Sequence, residues 1–213
     1  TLDSDGAGAD QIETLTISGN GAAATFTDGS ATAPTTLAMT GSQDVTYVTT
    51  AANAATMTAV TNTATAGTQT LEITGAVATA DWKGIAADVI NVNGAVAAAS
   101  TQTFNDAASV KFETAQTNPF TIDIDDGSAT TTQAAGSLSL DLAADVTGIV
   151  TIDKSLATDN ITTLNVTATA AQTALAITDA GGAVVTVGYV PGGTGTKTTT
   201  GSYMDFAVAI TPE

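Results

Sequence analysis

The chain has 213 residues, 43% of them hydrophobic but only 4% aromatic, with 4 basic against 21 acidic residues and a net charge of −17. So acidic a chain, with no arginine, lacks the cations that hold nucleic-acid phosphates or anionic lipid, and no apolar run approaches the ~20 residues that insert across a bilayer. Without cysteine or histidine it has no disulfides, no thiolate site, no Ser-His-Asp or Cys-His catalytic group and no ordinary zinc, copper or non-haem iron centre.

In chain order the first signal is the stretch from Asp5 to Glu13. Against the nonapeptide G-G-x-G-x-D-x-U-x it places Gly6, Gly8, Asp10 and Ile12 correctly, with Asp5 in place of the first glycine. In that pattern glycines allow a tight turn, carboxylates and carbonyls bind Ca²⁺, and the apolar residue enters the core. Residues 1–13 are therefore a candidate calcium-binding turn with Asp3, Asp5 and Asp10 as ligands; the alternative is an ordinary acidic turn.

From Glu13 onward short segments alternate apolar side chains with Thr, Ser or Asp, the period of a half-buried strand. They fall at 13–18, 35–40, 44–49, 70–74, 88–92, 109–113, 120–124, 137–142, 149–152, 163–167, 174–178, 183–187 and 205–210. Turns rich in Gly, Asn and Asp separate them, among them Gly19 to Gly21 and Asp28-Gly29. Thr and Val suit a pleated surface, and abundant Ala favours thin, closely stacked layers. The only helical candidate is Asp81 to Asp88, where Asp81 is a cap, Gly84 a weakness, and Trp82 a packing anchor.

Three segments share T-L-x-[I/M]-[S/T]-G: Thr14 to Gly19, Thr36 to Gly41 and Thr70 to Gly75, with Thr163 to Ala168 a faded copy. Their leucines are spaced 22 and then 34 apart (Leu15, Leu37, Leu71). The pattern predicts an all-β chain, an irregular parallel β-solenoid forming a single elongated domain over 1–213; the alternative is a Greek-key β-sandwich or two stacked sandwiches.

A second acidic group follows the strand at 120–124: Asp123 and Asp125 share a strand face and Asp126 sits at the turn. Carboxylates about 7 Å apart repel unless a cation or solvent separates them. This makes Asp123, Asp125 and Asp126 candidate Ca²⁺ ligands; a solvated acidic edge is the rival reading. Thr-x-Thr pairs such as Thr25/Thr27 read as exposed strand faces. Asn160 and Asn165 open short glycosylation-type triplets.

Together the T-L-x-[I/M]-[S/T]-G strands, the Gly6-to-Asp10 nonapeptide and the Thr/Ala-rich, arginine-free composition resemble bacterial surface-layer proteins and related calcium-binding surface proteins exported by type I secretion. That resemblance implies Ca²⁺-dependent folding outside the cell, localisation at the cell surface, and assembly of many copies into a lattice, with cell-surface polysaccharide as a further partner. A subunit of an extracellular filament, joined by donation of a terminal strand such as Asp205 to Ile210, is the alternative function; a glycan-binding adhesin module is a third. None of these is an enzyme. The chain begins at Thr1, which reads as a processed product or a piece of a longer polypeptide.

Overall fold

The computed structural model describes residues 12–30, 34–105, 108–124, 136–153, 161–170, 172, 175–178, 184–188, 198–200 and 203–205. The elements in order are β1 (Thr14–Gly19), β2 (Ala24–Thr27), β3 (Thr36–Gly41), β4 (Val45–Thr50), α1 (Ala51–Ala54), β5 (Ala59–Asn62), β6 (Gln69–Thr74), β7 (Ala80–Asp81), β8 (Val89–Asn93) and β9 (Thr101–Phe104). They continue as β10 (Ser109–Phe112), β11 (Phe120–Ile124), β12 (Gly136–Leu142), β13 (Ile149–Asp153), β14 (Ile161–Ala168), β15 (Ala176–Thr178), β16 (Val184–Gly188), β17 (Thr198–Thr200) and β18 (Tyr203–Asp205). The protein is nearly all-β, and its parallel strands stack coil on coil as a β-solenoid. The chain divides into two compact units, Thr1–Gly75 with Gly84–Asn93 and Ala76–Lys83 with Gly94–Glu213.

In the first unit successive strands alternate between two parallel sheets, β1-β3-β5 and β2-β4-β6-β8. The β1 and β3 copies of the repeat pair residue for residue, from Thr14 with Thr36 to Gly19 with Gly41. The third copy does not extend that stack. β6 pairs with β4 and β8 in the other sheet, and the true successor of Leu37 is Val60. The spacing of 34 was thus measured from one face to the other. Along each face the steps are closer to one another: 22 from Leu15 to Leu37, 23 from Leu37 to Val60, 24 from Tyr47 to Leu71 and 19 from Leu71 to Ile90.

The second unit repeats the plan with sheets β7-β9-β11-β13-β15 and β10-β12-β14-β16. Its coils vary more in length, the step being 20 from Thr101 to Thr121 and 30 from Thr121 to Thr151. A third strip of single parallel bridges joins Val77 with Val96 and Gln116 with Val146. β17 and β18 form an antiparallel pair. Of the terminal strand expected at 205–210, residues 206–210 lie outside the described residues.

Both units bury the aliphatic side of their strands. Leu37, Met39, Val45, Tyr47, Leu71 and Ile73 fill the first; Phe104, Val110, Ile122, Ile124, Leu138 and Val146 fill the second. The rings of Phe112 and Phe120 meet with centroids 5.5 Å apart, tilted at 57°. Trp82 is buried as anticipated, its indole N–H donating to Gln102 Oε1 at 2.9 Å. The helix expected at 81–88 is absent: Asp81 ends β7, Lys83 and Gly84 form a turn, and Ile85 bridges to Val60. A single coil leaves too few residues here for helical turns. Helix instead forms at Ala51–Ala54, where the Thr50 hydroxyl caps it by accepting from the Asn53 N–H at 3.2 Å.

Close stacking dictates glycine at position 41. Gly41 has φ +105°, and a Cβ there would lie 2.3 Å from the Gly19 carbonyl oxygen, whereas Gly21, at φ +109°, faces open space. Both alanine substitutions incur backbone strain, but only Gly41→Ala also forces the coils apart. Chemical denaturation should show Gly41→Ala costing about 2 kcal/mol more than Gly21→Ala. Equal losses would mean that the β1–β3 approach is looser than described.

Candidate functional site

A solenoid coil turns corners, and at each corner backbone N–H and C=O groups leave the sheet ladders. Buried ones need partners. In the second unit buried glutamines supply them. Gln116 Oε1 accepts from the Val96 N–H at 2.8 Å, and Nε2 donates to the carbonyls of Gly94 at 3.0 Å and Thr114 at 2.7 Å. Gln172 repeats the arrangement: Oε1 accepts from the Val146 N–H at 2.9 Å, while Nε2 donates to the carbonyls of Ala144 at 2.8 Å and Ala170 at 3.1 Å. Gln102 joins Trp82 to the Ala78 carbonyl, to which its Nε2 donates at 2.7 Å. In the first unit Gln69 Nε2 donates to the Gln43 carbonyl at 3.0 Å. A primary amide suits this task because it donates and accepts at one tip without charge. Each glutamine thereby clips its own coil to the preceding one.

Asp28 is the second polar centre. It sits at the end of β2, 8% exposed, and the sequence marked it only as a turn residue. Its carboxylate accepts from the Ser30 N–H at 2.9 Å, the Ser30 hydroxyl, the Thr49 hydroxyl at 3.2 Å and Asn53 Nδ2 at 3.4 Å. Burial pushes the carboxyl up, but the Ser30 and Thr49 hydrogen bonds and the adjacent Tyr47 hydroxyl outweigh it and hold Asp28 below the ordinary range. Burial, and then the Asp28 carboxylate, raises the Tyr47 phenol; its hydroxyl faces Asp28 without a hydrogen bond of ordinary geometry. Asp28 thus ties the first turn to β4 and α1.

On the outer face of the second unit the register builds two columns. Thr101, Thr121 and Thr151 form one, and Asp81, Thr103 and Asp123 form the other; the backbone register continues them to Thr178 and Asp153. Asp123 is half-buried, its Oδ2 accepting from the Thr103 hydroxyl at 3.2 Å. It is the one candidate calcium ligand among the described residues; Asp3, Asp5, Asp10, Asp125 and Asp126 lie outside them. Among the described residues no three acidic side chains gather closely enough to hold a metal ion. Lys83 pairs with Asp81 at 3.4 Å and Lys111 with Glu113 at 3.0 Å, surface contacts of small energetic weight.

The glutamine clips and Asp28 were not recognised in the sequence, although a signal for the clips exists. Gln69, Gln102, Gln116 and Gln172 are each followed by threonine; Gln11, Gln43 and Gln133 are not. Comparison with protein-family models, with curated proteins and with solved structures finds no match.

Gln116→Ala removes three buried hydrogen bonds and leaves a void, so it should cost about 2–4 kcal/mol in denaturant unfolding. A loss below about 0.5 kcal/mol, the scale of a surface change, would show that the clip is dispensable.

The two shifted groups set a pH window. A depressed Asp28 contributes stability above its unfolded pKa of about 3.9, and that contribution is lost as pH falls through the folded value. A raised Tyr47 contributes below about 10, and its contribution is lost as pH rises beyond that. Asp28→Asn should therefore destabilise at neutral pH, with the difference from wild type shrinking in acid, and Tyr47→Phe should blunt the alkaline loss. Parallel stability curves for wild type and Asp28→Asn down to pH 2 would contradict this assignment.

Proposed function

We propose that the chain is a structural element of a bacterial surface layer or a similar extracellular coat, assembling in many copies with Ca²⁺. The observation that carries this reading is the use made of buried polar groups. The glutamines and Asp28 are engaged in joining one coil to the next, and what the molecule turns outward is a repeating face of threonine and carboxylate. Such an architecture provides a stiff, regular scaffold, and its net charge of −17 keeps copies apart until a counter-ion arrives. Calcium fits that role. Asp123 and Asp153 are backbone register partners on adjacent rungs, whose strands lie about 4.8 Å apart, and a cation would offset the repulsion between carboxylates held on such neighbouring strands. Asp3, Asp5 and Asp10, with Asp125 and Asp126, are the further carboxylates that the ion would draw together.

Ca²⁺ saturating the folded state at 100 times its Kd adds about 2.7 kcal/mol of stability. Melting in excess Ca²⁺ should therefore occur at a higher temperature than in chelator, and negative-stain images should show sheets in Ca²⁺ and dispersed particles without it. Identical melting midpoints together with dispersed particles in both conditions would refute the reading. Fibres in place of sheets would favour the filament.

A further inference from the structure

The sequence contains two asparagines followed by glycine, Asn20-Gly21 and Asn93-Gly94. Glycine has no β-carbon to shield its own amide nitrogen, so that nitrogen can attack the side-chain carbonyl carbon of the preceding asparagine and close a five-membered ring. Ring closure requires the asparagine backbone to leave strand geometry and its side chain to swing free. The fold therefore decides which of the two reacts.

Asn20 comes just after the last register pair of β1 with β3, Gly19 with Gly41, in the corner between β1 and β2. Asn20, Gly21, Ala22 and Ala23 are all exposed. Gly21 has φ +109°, and a Cβ there would have nothing within 4 Å. The Asn20 amide nitrogen donates to the Ser18 hydroxyl at 2.7 Å, a surface bond that water replaces at little cost. Stacking does not close this corner to solvent: at the same corner one coil further on, Ser42 and Asp44 are exposed although the coil of β1 lies against theirs. Asn93 has the opposite setting. It is the last residue of β8, paired with Thr74 of β6 and half-buried. Its Nδ2 donates to Glu72 Oε1 at 2.8 Å, and Gly94 is buried with its carbonyl accepting from Gln116 Nε2 at 3.0 Å. Reaction at Asn93 must first open a strand end and break a charge-assisted bond.

We propose that Asn20 is a site of spontaneous covalent modification, converting in the folded protein to a mixture of aspartate and isoaspartate, and that the fold protects Asn93. The Gly21 nitrogen gives up its proton to solvent and bonds to Asn20 Cγ; the Cγ–Nδ2 bond breaks, and Nδ2 takes up a proton and leaves as ammonia. One water then opens the succinimide. Addition at Cγ restores the ordinary peptide with an aspartate side chain, and addition at the backbone carbonyl carbon gives isoaspartate. Water is the sole co-reactant, and no electrons change hands. Isoaspartate carries the main chain through Cβ and Cγ, which adds one carbon to a corner pinned on both sides. The Gly19 carbonyl accepts there from the N–H groups of Ser42 at 2.8 Å and Gln43 at 3.1 Å, and the Ala24 N–H donates to Asp44 O at 3.0 Å. Either product also puts a carboxylate into the stretch from Thr14 to Thr27, which has no charged residue. The conversion marks the age of a molecule at a contact between coils. It needs no Ca²⁺ and stands apart from the coat reading.

The test incubates the full chain in chelator at neutral pH and body temperature, once folded and once in denaturant, and then cleaves it after lysine. Lys83 and Lys111 place Asn20 and Asn93 on separate peptides, 1–83 and 84–111. Fragmentation in the mass spectrometer locates each conversion and separates isoaspartate from aspartate. In the folded chain Asn20 should convert about tenfold or more faster than Asn93, a factor set by the local opening that Asn93 requires. In denaturant the two rates should agree within about twofold, since each asparagine then has the same unshielded glycine after it. Asn20→Gln should abolish conversion at position 20 and leave the rate at Asn93 unchanged. If that variant fails to fold, the comparison of folded with denatured wild type decides alone. Folded Asn20 that stays intact while the denatured chain reacts, or Asn93 that keeps pace with Asn20 in the folded chain, would each overturn the proposal.

Discussion

The structure depends on one constraint: each coil must lie on the next in register, with every backbone group at the corners partnered. Ladder hydrogen bonds satisfy the flat faces, but they end where the chain turns. There Gln102, Gln116 and Gln172 reach back to the preceding coil and bond the groups the ladder leaves behind. A buried amide that failed to find its partners would cost about 1–3 kcal/mol, so the clips specify register as well as hold it. The same closeness dictates glycine at Gly41 and at Gly148, where a Cβ would meet the Asn118 carbonyl oxygen at 2.0 Å.

This constraint explains the composition. A thin coil has room for one layer of aliphatic side chains per face, and Leu, Ile and Val fill it while Ala and Thr occupy the rest. Tyr47, Trp82, Phe104 and Phe112 are among the largest fully buried side chains of the described residues. Stability is then spread along the stack rather than concentrated at a centre, as in other solenoids, where neighbour interfaces carry the cooperativity. On the first described rung Leu15 and Phe26 are half-buried, whereas their register partners Leu37 and Tyr47 are wholly buried.

Much of this architecture was legible in the sequence. Period-two alternation marked β1, β3, β4, β6 and β8 and β10 through β14 to within a residue or two at each end, because those strands bury one face and expose the other. Four-residue β5 and β9 escaped, being too short to show contrast, and β2 was marked only by its Thr25/Thr27 pair, read as an exposed strand face. The repeat was seen but misassigned at Thr70 to Gly75: both sheets bury the same aliphatic pattern, so likeness of sequence does not say which face a strand joins. The polar interior was less legible. Glutamine and aspartate are ordinarily surface residues, and only the fold shows that Gln116 has a backbone to clip or that Asp28 has Thr49 and Asn53 within reach. Of the acidic candidates, Asp123 is placed, its carboxylate accepting from the Thr103 hydroxyl of the adjoining rung.

The register of stacking can be tested directly because the chain contains no cysteine of its own. Thr16 and Ala38 are register partners on neighbouring rungs, whereas aligning the repeat by sequence alone would join Ala38 to Glu72, which instead pairs with Val48 and Asn91. Partners about 4.8 Å apart lie within disulfide range. Oxidation of the double variant Thr16→Cys with Ala38→Cys should give an intramolecular disulfide in high yield, and Ala38→Cys with Glu72→Cys should give none. Efficient cross-linking of the second pair, with none in the first, would contradict the stacked-coil account at its root.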